Sequence, residues 1–273
     1  MPRPTPPEIL AALQVVTHFD PDAELERRIA FLADDLLRCG RRVLVLGISG
    51  GVDSLVAGAM AQRAVARLRA QGHSASFHAM RLPYGVQADA ADAALAMDFI
   101  APDTVHTVDV RPAVDAMRDA LVAGAVDLGD ASGADFLVGN IKARARMVAQ
   151  YAAAGAYHGL VIGTDHAAEA LMGFFTKHGD GAADVLPLAG LSKRRVRALG
   201  LAMGAPHDLV LKVPTADLES LAPLKPDELA FGVSYEVIDD FLEGKPVDAA
   251  AERRIVVNYI ATAHKREAAR RPA

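Results

Sequence analysis

Tryptophan is absent from this 273-residue chain, cysteine occurs once, and aromatic residues make up only 5%. One thiol, Cys39, excludes an intramolecular disulfide and any cysteine metal cluster. It follows a helical spacing of Leu25, Ile29, Leu32, Leu36 and Leu37, so it reads as a packing or surface residue at a helix end. No apolar run reaches the roughly 18 residues of a membrane span. The opening Met1-Pro2-Arg3-Pro4-Thr5-Pro6-Pro7 is proline-rich and lacks the apolar stretch of a signal peptide. Positive charge is not in excess either: 29 Lys and Arg face 34 Asp and Glu, a net charge of −5. No global basic field therefore argues for nucleic acid. The expectation is a cytoplasmic protein that engages neither nucleic acid nor a membrane. Its core must rest on Ala, Leu and Val. With no internal repeat and no long polar linker, one domain is expected over 1–273, preceded over 1–20 by an N-terminal extension.

What is present is concentrated in Val43-Leu44-Val45-Leu46-Gly47-Ile48-Ser49-Gly50-Gly51-Val52-Asp53-Ser54. A β-branched apolar run ends in a small-residue loop, and an alanine-rich amphipathic segment, Leu55 to Ala70, follows. That order predicts strand, tight loop and helix. Glycines let the backbone approach a ligand, and N–H groups at a helix start favour an anion, most simply a phosphate. Asp53 would repel that phosphate unless a cation lies between. Magnesium fits, because it binds one or two carboxylates together with substrate phosphates. No lysine follows Gly51, so a Walker A loop is excluded, and the G-x-G-x-x-G fingerprint is missing as well.

Downstream, the pattern predicts a strand within Ser74–Leu82, a helix over Asp89–Ile100 and a strand over Thr104–Val110. Pro112 sits at a first helical turn. After a glycine-broken stretch at 124–133 come a helix over Asn140–Ala154, a buried strand at Leu160–Gly163, and helices over Asp165–His178 and Ser192–Met203. Alternating strands and helices predict an α/β fold: a single doubly wound domain whose parallel sheet is flanked by helices on both faces. Such sheets bind ligands beyond the carboxyl ends of their strands, where the 49–54 loop lies. From 204 to 227 prolines interrupt the periodicity. This stretch reads as a mobile cover over the site or as a static surface loop.

Further constellations stand out. Lys142 and Arg146 share a helix face while Arg144 points elsewhere; a solvated basic face and an anion site both fit. In Gly163-Thr164-Asp165-His166-Ala167-Ala168-Glu169, Glu169 lies one turn from Asp165 and can supply a second magnesium carboxylate near Asp53. Asp165 reads equally as a helix cap. In Lys177-His178-Gly179-Asp180-Gly181-Ala182-Ala183-Asp184, two glycines frame a carboxylate. A plain C-cap needs one, which suggests a backbone moulded around a ligand.

S-G-G-V-D-S resembles the pyrophosphate-binding loop of the N-type ATP pyrophosphatases. R-L-P-Y-G-V-Q, N-I-K-A-R, G-T-D-H-A-A-E, G-F-F-T-K-H-G-D-G, P-T-A-D-L and H-K-R then follow in the order seen in ammonia-dependent NAD synthetases, from about residue 40 to residue 266. The resemblance implies an adenine nucleotide alpha hydrolase-like fold and a homodimer. It implies that Gly47, Ile48, Ser49, Gly50, Gly51, Val52, Asp53 and Ser54 hold the ATP phosphates and that Asp53 and Glu169 hold Mg2+. Thr164, Lys193 and Thr215 contact ATP, with Arg81 and Gln87 near its adenosine. Arg144, Lys177, Asp184, His264 and Lys265 contact deamido-NAD. Asp180 receives or orients ammonia, and Asp180, Lys193 and Asp53 are the catalytic candidates. Beyond His264-Lys265-Arg266 the tail is short and polar, where similar enzymes carry proline and aromatic residues.

Glutamine as nitrogen donor would need a further amidase domain with its own nucleophile, so ammonia is the expected donor. Competing readings are another adenylating enzyme with this loop, such as a GMP synthetase-type amidase or a tRNA-thiolating enzyme, and a module that binds ATP without turnover. Thiolation would want reactive cysteines. A passive module gives no reason for Glu169, Lys177, Asp180 and Asp184.

Overall fold

The computed structural model describes residues 3–85, 90–216, 219–221 and 225–271. The apolar run Val43–Gly47 (β1) is a strand buried along nearly its whole length. It pairs in parallel with Ser76–Arg81 (β2) on one side and Gly159–Val161 (β4) on the other. Thr104–Thr107 (β3) pairs in parallel with β2, giving the order β3-β2-β1-β4. Chain direction around the sheet reverses between β1 and β4, which opens a crevice at their carboxyl ends.

The helices before and around the sheet are Pro6–Ala12 (α1), Pro21–Arg38 (α2), Val52–Ala70 (α3), Ala90–Ile100 (α4), Arg111–Ala123 (α5) and Ala131–Tyr157 (α6). Ala167–Met172 (α7), Lys193–Ala202 (α8) and His207–Leu211 (α9) follow. A two-residue antiparallel pair, Thr215–Ala216 (β5) with Lys225–Pro226 (β6), precedes Asp227–Phe231 (α10), Tyr235–Leu242 (α11), Ala249–Ala261 (α12) and Ala263–Arg266 (α13).

Side chains alternate across the strands and sort two layers. Leu44, Leu46, Phe77, Ala79 and Leu160 join α2, α3, α4 and α8 in one core. Val43, Val45, Met80 and Val161 face α5 and α6 in another. The doubly wound parallel architecture is therefore as expected. A third cluster stands beside the sheet: Ile9 of α1 packs with Leu171, Phe231, Ile238 and Ile255 of α7, α10, α11 and α12. The described part of the N-terminal segment thus packs against the body through α1. Ile9 is fully buried, and the Val16 N–H donates to the Gly190 carbonyl at 3.0 Å.

Three element expectations need correction. The helix expected at Asn140–Ala154 begins at Ala131, because the Asp130 carboxylate caps it by accepting the Gly133 N–H at 2.8 Å. The helix expected over Asp165–His178 spans only Ala167–Met172; it stops at Gly173, whose φ of 65° is left-handed. The strand expected to reach Val110 ends at Thr107. Prolines do not prevent regular structure among the described residues of the stretch 204–227. It contains α9, whose Leu209 and Val210 are buried in the main core. It is fastened to α6 as well: the Asp135 carboxylate accepts the Ser220 and Leu221 N–H groups at 2.9 and 2.8 Å.

Candidate active site

The first turn of α3 opens directly after the glycine loop. Gly51 is its N-cap and no side chain caps it, so its first N–H groups face the crevice. Gly50 has a φ of 90°, and a Cβ there would meet the Ala93 backbone nitrogen at 2.7 Å, so no larger residue fits. Ser49 and Ser54 brace the loop: the Ser49 and Ser54 hydroxyls lie 3.2 Å apart, and Ser54 donates to the Gly51 carbonyl at 3.0 Å. A cavity of about 400 Å3 extends from this loop, walled by Thr164 and Glu169, by Phe174 to Thr176, by Asp180 and Lys193, and by the 212–215 and 225–227 segments.

At its floor sits a charge cluster. The Lys193 ammonium, 1% exposed, donates to Asp53 at 2.6 Å. Two features hold Lys193 there. Ser192 caps α8, and the buried Asp239 of α11 accepts the Lys193 and Arg194 N–H groups at 2.9 and 2.7 Å. The His166 Nε2 lies 3.6 Å from Asp53, 3.6 Å from Glu169 and 3.5 Å from the Lys193 ammonium. Burial would raise the Asp53 carboxyl, but the Lys193 ammonium beside it holds it low. Burial likewise opposes the Lys193 charge, and Asp53 and Glu169 overcome that and raise its pKa. Burial, then the negative charge of Asp53, pushes Glu169 well above the usual carboxylate range. Burial drives His166 down to about 3, so its imidazole is neutral. Beyond the cluster, Tyr235 donates to Asp227 at 3.0 Å, and its ring centroid lies 5.2 Å from the Lys193 ammonium.

Ligand atoms of Asp53, His166 and Glu169 fall within 4.8 Å of one another. One Asp53 oxygen is buried without a hydrogen-bond partner. Together with a Glu169 strained by burial, this donor set fits a hard divalent cation held by the two carboxylates. His166, a weak candidate in the sequence, sits at the centre of the cluster, and it rather than Asp165 is the N-cap of α7.

The profile of the NAD synthase family matches residues 24–269. A protein of Streptomyces coelicolor named NH(3)-dependent NAD(+) synthetase is 63% identical over 259 residues, covering 95% of this chain and 94% of that one. The chain belongs to the NAD synthase family. The crystal structure of NAD+ synthetase from Burkholderia pseudomallei is 58% identical, with a TM-score of 0.83, covering 97% of this chain and 98% of that one. A structure of NMN synthetase from Francisella tularensis is 34% identical with a TM-score of 0.80, covering 93% and 99%.

The residues named from the family resemblance fall into two groups. Gly47 to Ser54 (Gly50 aside), Thr164, Glu169, Lys193, Thr215, Asp180 and Lys265 line the main cavity. Arg81, at the end of β2, Arg144, Lys177, Asp184 and His264 do not line it. Gln87 lies outside the described residues. Arg144 donates to the Lys177 carbonyl at 3.2 Å, and Lys177 donates to the carbonyls of His264 and Glu267. Asp184 accepts the Val161 N–H at 2.7 Å at the sheet end.

The glycines flanking Asp180 are required by packing. A Cβ on Gly179 would press on Thr176 and Ala143, and one on Gly181 would enter the Phe175 ring. This tight turn sets Asp180 in the cavity wall, accepting the Thr176 N–H at 2.9 Å. Surrounding protein pushes its carboxyl upward, mainly by burial. Its surface stays open to the solvent in the cavity, which limits that push. Asp227, Tyr235 and Asp239 carry no mark as site residues in the sequence, and His166 is only a weak ligand candidate there. His166 meets Lys193 across 27 residues and Asp239 meets it across 46, whereas Tyr235 and Asp227 are 8 apart, and only the Ser192 cap before Lys193 hints at α8's role.

Proposed function

We propose that this chain amidates deamido-NAD to NAD with ammonia, cleaving ATP to AMP and pyrophosphate. The observation that carries the reading is the single cavity in which a bare helix N-terminus, the Asp53–Glu169 pair and the buried Lys193 converge. A carboxylate does not react with ammonia usefully, because oxide is the leaving group. The nicotinate carboxylate therefore attacks the α-phosphorus of ATP, giving an acyl-adenylate and pyrophosphate. The loop N–H groups take the phosphates, and Lys193 turns its ammonium from Asp53 towards the charge that builds there. Asp53 and Glu169 are the residues that would hold Mg2+, which when bound neutralises phosphate charge. Ammonia then attacks the acyl carbon and AMP leaves, with Asp180 placed to orient ammonia or take its proton. Asp180→Asn should slow amide formation while single-turnover pyrophosphate release persists; equal loss of both sinks that role.

The family residues outside the cavity, Arg144, Lys177, Asp184 and His264, support a deamido-NAD site completed at a homodimer boundary. Phe136, Val148 and Tyr157 on α6 are exposed at 58%, 60% and 41%, which suits that interface. The 212–215 and 225–227 segments, which wall the cavity, are the candidates for a cover over bound substrates. No helix of the described residues is long and apolar enough to cross a membrane; a cytoplasmic location is part of this proposal. The test is incubation with ATP, magnesium, ammonium and deamido-NAD. NAD, AMP and pyrophosphate are the expected products. ADP as product, or turnover without deamido-NAD, overturns the reading. Preference for the nicotinate mononucleotide would place the chain with the NMN synthetase instead.

A further inference from the structure

A second cavity, of about 230 Å3, adjoins the first but includes none of the phosphate loop. The two share Phe175 and Lys265 in their walls. Leu13, Asp165, His166 and Arg266 form much of the rest. This volume is too small for a nucleotide and large enough for a few water-sized molecules.

Its polar groups are unevenly matched. Lys265 donates to the Gly173 and Phe175 carbonyls, both at 2.9 Å. Arg266 donates to the Ala170 carbonyl and the Thr262 hydroxyl at 2.9 Å and to the Tyr259 carbonyl. Both cations are thus occupied by backbone and hydroxyl oxygens. The Asp165 carboxylate makes no hydrogen bond or ion pair among the described residues. His166 is 1% exposed, its Nε2 faces Asp53 and Glu169, and its Nδ1 is buried without a partner. One imidazole therefore stands between the second cavity and the reacting centre.

The chemistry of amidation gives this arrangement a purpose. In the amidation reading, the two nucleotides occupy the main cavity, which the 212–215 and 225–227 segments wall. The remaining substrate is small and, near neutral pH, mostly a monovalent cation. We propose that the second cavity is the entry and binding site of the ammonium ion, with Asp165 as its counter-charge and His166 as the partition to the reacting centre. This rests on the amidation reading above. The cavity places this unpartnered carboxylate beside the buried, unpartnered His166 Nδ1, so both face the same small volume. Asp165 is not part of the convergent divalent-ligand set found among the described residues.

The test measures ammonium dependence in three proteins. Asp165→Asn should raise KM for ammonium about tenfold with KM for ATP nearly unchanged. Leu13→Trp, which obstructs the cavity from α1's side, should raise it comparably while single-turnover pyrophosphate release persists. Hydroxylamine, a small nucleophile uncharged near neutrality, separates charge from access. Asp165→Asn should lose much less with hydroxylamine than with ammonium, whereas Leu13→Trp should lose with both. A wild type that makes NAD, with variants of unaltered ammonium KM, overturns the entry site and leaves amidation standing. A wild type that makes no NAD overturns amidation itself. If Asp165→Asn does not fold, Leu13→Trp decides alone.

Discussion

Two strand–turn–helix junctions meet at this site and work in opposite ways. Between β1 and α3, a helix of 19 residues presents its bare N-terminus, where in the proposed reading the backbone itself receives an anion. Between β4 and α7, a helix of six residues offers little dipole, and side chains face the crevice instead: the carboxyl groups of Asp165 and Glu169 and the neutral imidazole of His166. Lys193, from a third element, spans the gap between the two. The same local topology thus serves charges of opposite sign, according to whether main chain or side chain faces the crevice.

The strongest way to break this comparison is to remove the bridge. Lys193→Met should cut NAD formation by about 10³-fold, the scale of losing a preorganised charge partner. It should also lower stability by about 3 kcal/mol, because Asp53 and Glu169 lose their buried cation. Urea titration beside a product assay reads both. Lost activity with full stability would mean that the pair contributes nothing to the empty fold. Next comes the backbone junction. Gly50→Ala should raise KM for ATP at least about tenfold and cost about 2 kcal/mol, since φ and the Ala93 contact both oppose it. Ser49→Ala, which leaves the main chain in place, should shift KM by less than about threefold. Equal effects would erase the main-chain character of that junction.

At the side-chain junction, Glu169→Gln should raise the magnesium needed for half-maximal rate about tenfold, with ATP affinity preserved at saturating magnesium. An unchanged magnesium curve would remove Glu169 from the metal set. The smallest effect is on pH. The Asp165 carboxyl titrates near 8 in the folded protein and near its ordinary value when unfolded. Below about 4 both states are protonated, and the protonated form favours folding fully. As pH rises towards 8 the unfolded chain binds fewer protons, so this contribution falls and is lost above 8. Thermal midpoints of the metal-free protein should decline over that window, and Asp165→Asn should flatten the decline. A midpoint rising from pH 5 to 8 in both proteins would contradict the buried, unbalanced carboxyl.

The first junction was readable in the sequence because its chemistry is local: strand, loop and helix start occupy consecutive positions from Val43 to Ser54. The parallel sheet followed from the same alternation. The second junction was misread where tertiary packing overrode periodicity. Gly173 ends α7 early, and the chain from Phe174 to Asp184 then wraps the cavity instead of continuing a helix. His166 and Asp239 carried no local mark. Their roles come from Asp53 and Lys193, partners brought together only by folding. The helices α10 to α13 were unread because prolines at 206, 214, 223 and 226 masked the pattern leading into them. The packing of α1 into the third cluster left no periodic trace either, since it is seven residues long.

The contacts of α13 carry a consequence for how the protein comes into being. Lys265 joins the Gly173 and Phe175 carbonyls across separations of 92 and 90 residues, and Arg266 joins Ala170 across 96. The glycine loop, by contrast, lies among β1, α3 and α4, all earlier in the chain. A nascent chain can therefore shape its phosphate cradle long before the fastening that shuts the wall between the two cavities has been synthesised. That fastening therefore belongs to a late stage of folding.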